Sequence, residues 1–157
     1  MAMTEQEKKI QVVTTNRKAF HNYHIVERFE AGLSLVGTEV KSIRAGKVQM
    51  ADAYAEVDEG EVFLVNLHIS QYAQSSCDPH DPIRRRRLLL NKREIRRLWR
   101  GASEKGFTIV PLRVYFKGAY AKVEIALAQG KRQYDKRESI AKREAERDIA
   151  RRMKKNK

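Results

Sequence analysis

Apolar residues recur along this chain with two periods, and the shorter one dominates. From Tyr23 to Phe29, Ile25, Val26 and Phe29 stand among charged residues, which predicts a strand. Leu33-Ser34-Leu35 alternates and predicts a second, short one. Thr38 is then placed to cap a short helix from Glu39 to about Arg44, with Val40 and Ile43 as its buried face, Glu39 in the first turn and Gly46 as its end. Ala53 to Val57 and Glu61 to Ile69 predict strands joined by the turn signal Asp58-Glu59-Gly60.

The second half repeats the pattern. Residues 74–83 contain two X-Pro steps and predict a loop. Arg84 to Leu90 runs from basic to apolar. Asn91 is placed to cap a helix, with Glu94 three residues on. Ile95, Leu98 and Trp99 predict its apolar stripe, Lys92, Arg93, Arg96, Arg97 and Arg100 its outer face, and Gly101 its stop. Phe107 to Phe116 and Ala119 to Ala128 predict a long hairpin through Lys117-Gly118. On its second strand Ala121, Val123, Ile125 and Leu127 share one face, and Lys122 and Glu124 share the other. The sum is a mainly β chain with short helices. A small closed antiparallel β-barrel with helices plugging its ends is the simplest packing, because closure removes strand edges. Residues 1–13 lack a clear period and read as a flexible leader, which leaves 14–130 for the barrel.

Residues 131–157 differ. Their large aliphatic groups are Ile140, Ile149 and Met153 alone. Ala141, Ala145, Ile149 and Met153 are spaced by four, which is helical. Pairs such as Glu138–Lys142 and Asp148–Arg152 contribute about 0.2–0.5 kcal/mol each, too little to hold an isolated helix in water. The expectation is a basic tail that is disordered when free and helical when docked on an anion.

Charge sharpens this picture. The 157 residues carry 33 Lys/Arg and 20 Asp/Glu, a net of +13. Residues 1–69 hold 8 basic and 10 acidic side chains; residues 70–130 hold 13 and 5; residues 131–157 hold 12 and 5. A polarised cation steers a polyanion toward one face. No run of about 18 apolar residues predicts a membrane span. The first residues lack the layout of a secretory signal, and the single cysteine, Cys77, excludes an internal disulfide. Both fit a cytoplasmic protein.

Enzyme chemistry finds no support. The nucleotide-binding glycine loops, the Gly-x-Ser-x-Gly elbow and the His-Glu-x-x-His zinc motif are all missing, so neither a catalytic residue nor a cofactor is expected. His21 and His24 would point to opposite faces of a strand, and Cys77 with His80 supplies two ligands where zinc takes four, so no metal is expected either. Nucleic-acid binding fares better. Asn16, Arg17, Lys18, Phe20, His21 and Tyr23 interleave cations, rings and hydrogen-bonding groups, the chemistry that meets phosphates and unstacked bases. Phe20 and Tyr23 could equally pack a core. Arg84 to Arg87 could equally be a solvated loop before a strand. Glu39 and Lys41 could be a surface pair, or Glu39 could accept from base or ribose donors.

At these residues the chain resembles a known family. The stretches are Asn16-Arg17-Lys18-Ala19 with Tyr23, Glu30-Ala31-Gly32-Leu33, and Gly37-Thr38-Glu39-Val40-Lys41-Ser42-Ile43-Arg44-Ala45-Gly46-Lys47. Arg87-Leu88-Leu89-Leu90-Asn91-Lys92-Arg93-Glu94 and Gly130-Lys131-Arg132-Gln133-Tyr134-Asp135-Lys136-Arg137 complete them. In order and spacing they resemble small protein B, the bacterial SsrA-binding family that partners transfer-messenger RNA in trans-translation.

The resemblance implies an oligonucleotide-binding-like barrel without catalytic activity. It implies binding to the tRNA-like domain of transfer-messenger RNA and delivery to stalled 70S ribosomes, with elongation factor Tu in the delivery complex. The tail would enter the empty message channel, against small-subunit rRNA. On the RNA-facing surface it places Asn16, Lys18, His21, Tyr23, Glu39, Lys41, Arg44, Lys47, Arg87, Leu89, Asn91 and Lys122. In the decoding region it places Lys131, Tyr134, Asp135, Lys136 and Arg137. Family members often carry another residue where Thr38 stands, and sometimes histidine at Tyr134, which favours stacking there over proton transfer. The rival reading is a ribosomal or assembly protein on a fixed rRNA site.

Overall fold

Side chains alternate in and out along these strands, and the strands close into a ring that buries one set. The computed structural model describes residues 9–71, 80–131 and 143–151. Among them the strands are β1 (Ile10–Thr15), β2 (Tyr23–Leu33), β3 (Val48–Gln49), β4 (Tyr54–Asp58), β5 (Glu61–Val65), β6 (His68–Ile69), β7 (Arg86–Leu89), β8 (Phe107–Lys117) and β9 (Tyr120–Gly130). The helices are α1 (Arg17–Asn22), α2 (Gly37–Arg44) and α3 (Lys92–Ala102).

The main sheet runs β1-β8-β4-β5-β7-β2-β9 and is antiparallel at every pairing; β8 also pairs β9, so the ladder returns on itself. β3 and β6 form a separate two-stranded piece. Inside the ring lie Phe29, Ala31, Val62, Leu64, Leu88, Ile109, Val114, Val123 and Ile125. Ile43 of α2 and Leu98 of α3 join the same core. Arg44 of α2 lies over the ring of Phe116 at 4.5 Å, toward the β8–β9 turn. Gly101 of α3 lies against Leu127, toward the other end of that hairpin. The two helices therefore close opposite ends of the barrel.

Turn chemistry matches the sequence reading. Glu59 and Gly60 have φ of 49° and 78° between Asp58 and Glu61, the positive-φ pair that a two-residue hairpin needs. In the β8–β9 turn, Gly118 supplies a φ of 63°.

Several expectations are corrected. Residues 10–13 are no leader: β1 runs from Ile10 and pairs β8. Its β-branched Val12, Val13, Thr14 and Thr15 carried that signal. Tyr23 to Leu33 is one strand, with a bulge between Ile25 and Glu27 that leaves Val26 half exposed. Residues 17–22 form α1, which covers the outside of the ring. Ala19 packs there on Val110, Leu112, Ala126 and Ala128, with Tyr23 and Ile25 beside it.

Thr38 is not a cap. Val36 precedes α2, and the Glu39 carboxylate accepts from the Val36 N–H at 2.9 Å. Gly101 lies inside α3 and does not end it. A Cβ there would fall 2.2 Å from Leu127 Cδ2, so glycine is required by close packing. Trp99 does not join the buried stripe; it is 60% exposed. The expected helical i,i+4 pair of Asp148 with Arg152 lies partly outside the described residues. The chain is helical over 143–151, where Asp148 meets Arg151 at 3.9 Å and every residue is exposed.

Candidate nucleic-acid interface

The outer face of β7, β2, β9 and β8 is built from cross-strand rows. Gly32 pairs with Leu89 on one side and Lys122 on the other, and Lys122 pairs with Tyr115. Directly opposed residues share a face, so Leu89, Lys122 and Tyr115 line one row. Gly32 leaves a dent within it. A Cβ at Gly32 would sit 3.1 Å from the Leu89 Cβ. Leu89 is 53% exposed, an apolar side chain left outside a charged surface.

The next row sets Glu30 opposite Glu124, and Glu124 opposite Arg113. Two facing carboxylates repel, and the surrounding cations offset this. Arg113 Nε donates to Glu124 at 2.9 Å, Arg28 reaches the same carboxylate at 3.4 Å, and Lys117 donates to Glu30 at 3.3 Å. The Tyr115 hydroxyl also donates to Glu30. Burial raises the Glu30 carboxyl, but the Tyr115 bond and the Lys117 and Lys122 charges outweigh it and hold it below the ordinary range. The Tyr115 hydroxyl is pushed well above its usual range by burial and by the carboxylate it serves. Arg28 continues toward α1, 5.6 Å from the Phe20 ring. The row and α1 thus belong to one continuous face.

α1 is fixed by Asn16. Its side-chain oxygen accepts from the Ala19 N–H at 3.3 Å, its amide donates to the Pro111 carbonyl at 2.9 Å, and its own N–H donates to Leu112 at 2.7 Å. It is buried, which makes it the anchor of α1 and not an outward contact. Beside it lies an open cleft of about 460 Å³ lined by Lys18, Asn22, Tyr23, Asp52 and Tyr54 among others. Asn16, Lys18 and Tyr23, singled out from sequence, therefore meet in one place. His21 lies on the same helix, half-buried.

Glu39 corrects the sequence reading most. It is neither a surface partner of Lys41 nor an outward acceptor. It is fully buried, holds Arg84 at 2.7 Å and accepts from Arg86 Nε. Arg86 is buried too and spends its remaining donors on the carbonyls of Leu67 at 2.7 Å, Arg84 at 3.0 Å and Pro82 at 3.2 Å. Burial pushes the Glu39 carboxyl up; Arg84, the Val36 amide and Arg86 together bring it below the ordinary value. Burial lowers the Arg86 guanidinium.

His80, read as half of an incomplete metal pair, is buried as well. Its Nε2 lies 2.9 Å from the Ile69 carbonyl, and its Nδ1 lies 2.9 Å from the Thr38 hydroxyl. A carbonyl only accepts, so Nε2 carries the proton and Nδ1 accepts from Thr38 in the neutral ring. This pins α2 to β6. Cys77 lies outside the described residues. Among the described residues no three His, Cys, Asp or Glu side chains could hold a metal ion.

The remaining candidates are spread out. Lys41 and Arg44 lie on α2 and Lys47 just beyond it, all exposed. Arg87 points outward on β7 and pairs with Glu61 at 3.2 Å. Asn91 precedes α3, its N–H donating to Glu94 at 3.2 Å. Lys131 donates its N–H to the Asn22 carbonyl at 2.9 Å, so the tail departs beside α1. Tyr134, Asp135, Lys136 and Arg137 lie outside the described residues. Sequence reasoning missed Glu30, Arg28, Arg113, Tyr115 and Lys117. Their signal was the alternation of charge with apolar residues along β2 and β8.

Comparison with known proteins decides the family. The family model described as SmpB protein matches residues 13–155. The chain belongs to the SmpB family. Relatives named SsrA-binding protein include one from Carboxydothermus hydrogenoformans, 55% identical over 138 residues, covering 88% of this chain and 93% of the relative. One from Desulforudis audaxviator is 58% identical over 139 residues, covering 88% and 91%. One from Microcystis aeruginosa is 52% identical over 153 residues, covering 97% and 99%. A solved structure described as "tmRNA-SmpB: a journey to the center of the bacterial ribosome" superposes with a TM-score of 0.66 at 47% identity, covering 81% of this chain and 93% of that one. The barrel is the oligonucleotide-binding-like fold of this family.

Proposed function

We propose that this protein binds the tRNA-like domain of transfer-messenger RNA and delivers it to stalled ribosomes for trans-translation. The observation that carries the reading is the outer face on which Leu89, Lys122 and α1 stand together, in a chain of the SmpB family. Lys18, His21, Tyr23 and Lys122 supply phosphate contacts and stacking surfaces. Leu89 and Gly32 form the apolar notch for a ribose or base. Glu39 acts through Arg86 and the position of α2, and Asn16 through the position of α1.

The tail residues Lys131, Tyr134, Asp135, Lys136 and Arg137 engage the decoding region of small-subunit rRNA, and the tail becomes helical in the message channel. The protein works in the cytoplasm without catalysis, alongside elongation factor Tu in the delivery complex. No described helix is long and apolar enough to cross a membrane.

A gel-shift titration with a transcript of the tRNA-like domain tests the face. Lys122→Ala should weaken binding and reduce the slope of log affinity against log salt by about 1. Tyr23→Ala should cost about 1–3 kcal/mol if a base stacks there. Unchanged titrations for both would remove these residues from the interface. Occupancy across a sucrose gradient separates a rescue factor, present on few ribosomes, from a ribosomal protein, present on all.

A further inference from the structure

Trp99 is the chain's one tryptophan, and its helix leaves it outside. α3 buries Leu98 and packs Ile95 and Ala102 on the core. Trp99 instead walls a cleft of about 340 Å³ between α3 and β4. Tyr54, 39% exposed, stands across from it, with Phe107 and Ser103 also lining the cleft. The cleft's carboxylate, Glu56, is held by Arg85 at 2.8 Å.

Around this ring the helix is cationic. Arg97 pairs with Glu27 at 3.1 Å. Among the described residues Lys92, Arg93, Arg96 and Arg100 have no carboxylate within ion-pair distance. Arg96 and Arg100 stand three positions before and one after Trp99 on α3, on the exposed side of the helix next to the ring. An aromatic slot with guanidinium groups on the adjoining helix face suits single-stranded RNA, with phosphates on the cations and a base against the ring. A protein segment that filled the slot would leave those charges uncompensated unless it were acidic.

Position selects the RNA. α3 closes the barrel end where Phe107 pairs with Gln129. The tail departs from that same end, through Gly130 N–H to Gly106 at 3.2 Å and Lys131 N–H to Asn22 at 2.9 Å. Lys41 and Arg44 of α2 lie at the opposite end. We propose that the cleft between α3 and β4, walled by Trp99 and with Arg96 and Arg100 on the adjoining helix face, takes an unpaired base of ribosomal RNA. This rests on the reading that the tail enters the ribosome: α1, which meets the transcript in that reading, covers the outer sheet face, whereas α3 closes the barrel end from which the tail leaves.

The test uses the full chain as wild type, Trp99→Ala, Trp99→Phe and the double reversal Arg96→Glu with Arg100→Glu. Each is measured for co-sedimentation with vacant 70S ribosomes and for gel shift with the tRNA-like transcript. Trp99→Ala should bind ribosomes about tenfold more weakly, the scale of one lost stacking contact. Trp99→Phe should retain most of the affinity. The double reversal should lose about tenfold or more, with a shallower salt dependence. All should bind the transcript like wild type. Unchanged ribosome affinity in both Trp99→Ala and the double reversal overturns the proposal. Equal losses on ribosome and transcript also overturn it, by assigning the cleft to transfer-messenger RNA. A loss in Trp99→Ala with none in the double reversal points to an apolar protein segment and overturns it too. Wild type that binds neither ribosome nor transcript would sink the proposed function itself, a different outcome.

Discussion

Two arginine-rich segments lie next to each other in the chain and do opposite work. Arg84 to Arg87 enters a strand, and every member is partnered: Arg84 and Arg86 by Glu39, Arg85 by Glu56 and Asp58, Arg87 by Glu61. α3 carries as many arginines and a lysine besides, and among the described residues one of its arginines, Arg97, has a carboxylate partner. The first cluster spends its charge on holding the fold. The second leaves its charge outside, beside an exposed ring. Arginine content is alike in the two, so backbone period decides the difference. On a strand, alternate residues turn inward, and Arg86 has no route to water. On a helix with a narrow apolar stripe, the other positions face solvent.

Removing the partner of a buried charge should have the largest effect. Glu39→Gln leaves Arg86 buried and uncompensated, a loss on the order of 3–5 kcal/mol. Urea denaturation measures it, and a loss below about 1 kcal/mol would mean that the network contributes little to folding. The same network sets an acid response. Glu39 and Glu30 both titrate below the ordinary carboxylate value of 4.5. Their contribution to stability is complete above that value and is lost as pH falls through their lowered folded values. Denaturation midpoints should hold from neutral pH to about 5 and fall below about 4.5, less steeply in Glu39→Gln.

The α3 cluster is tested next by its seat on the barrel. Gly101→Ala drives a methyl into Leu127 and should cost about 1–3 kcal/mol. An unshifted melting temperature would mean that α3 rides loosely, and the contrast with the rigid first cluster would have to be argued on mobility instead. The smallest effect belongs to the outward members of the first cluster. Arg85→Ala and Arg87→Ala remove exposed pairs and should change stability by about 0–1 kcal/mol each. A larger loss at Arg85 would credit its stacking on Phe63, 3.8 Å away.

The contrast also shows which parts of the molecule were legible in its residues. The hairpins were legible, because Glu59-Gly60 and Lys117-Gly118 carry turn chemistry and the strands around them alternate. The start of α3 at Asn91 was legible for a local reason, the Glu94 carboxylate three residues on that accepts from the Asn91 N–H. Long-range partners were not. Glu39 finds Arg86 47 positions away, and Leu89 meets Lys122 only across Gly32. α1 was hidden because a six-residue helix, under two turns, leaves too few apolar positions to show a period. Trp99 was misplaced because helical spacing gives a side chain's angle and not what stands opposite it. The proposed site is drawn from the family motifs, while burial separates Asn16 and Glu39 from the motif residues that can touch RNA.

The account divides the protein into a barrel that grips transfer-messenger RNA and a tail that acts in the ribosome. A chain ending at Lys131 keeps the Gly130 and Lys131 backbone bonds and tests that division most directly, by gel shift with the tRNA-like transcript and by peptide tagging in a translation extract. The account predicts near wild-type binding of the transcript and no tagging. Full tagging by the shortened chain, or loss of transcript binding with the barrel still folded, would contradict it.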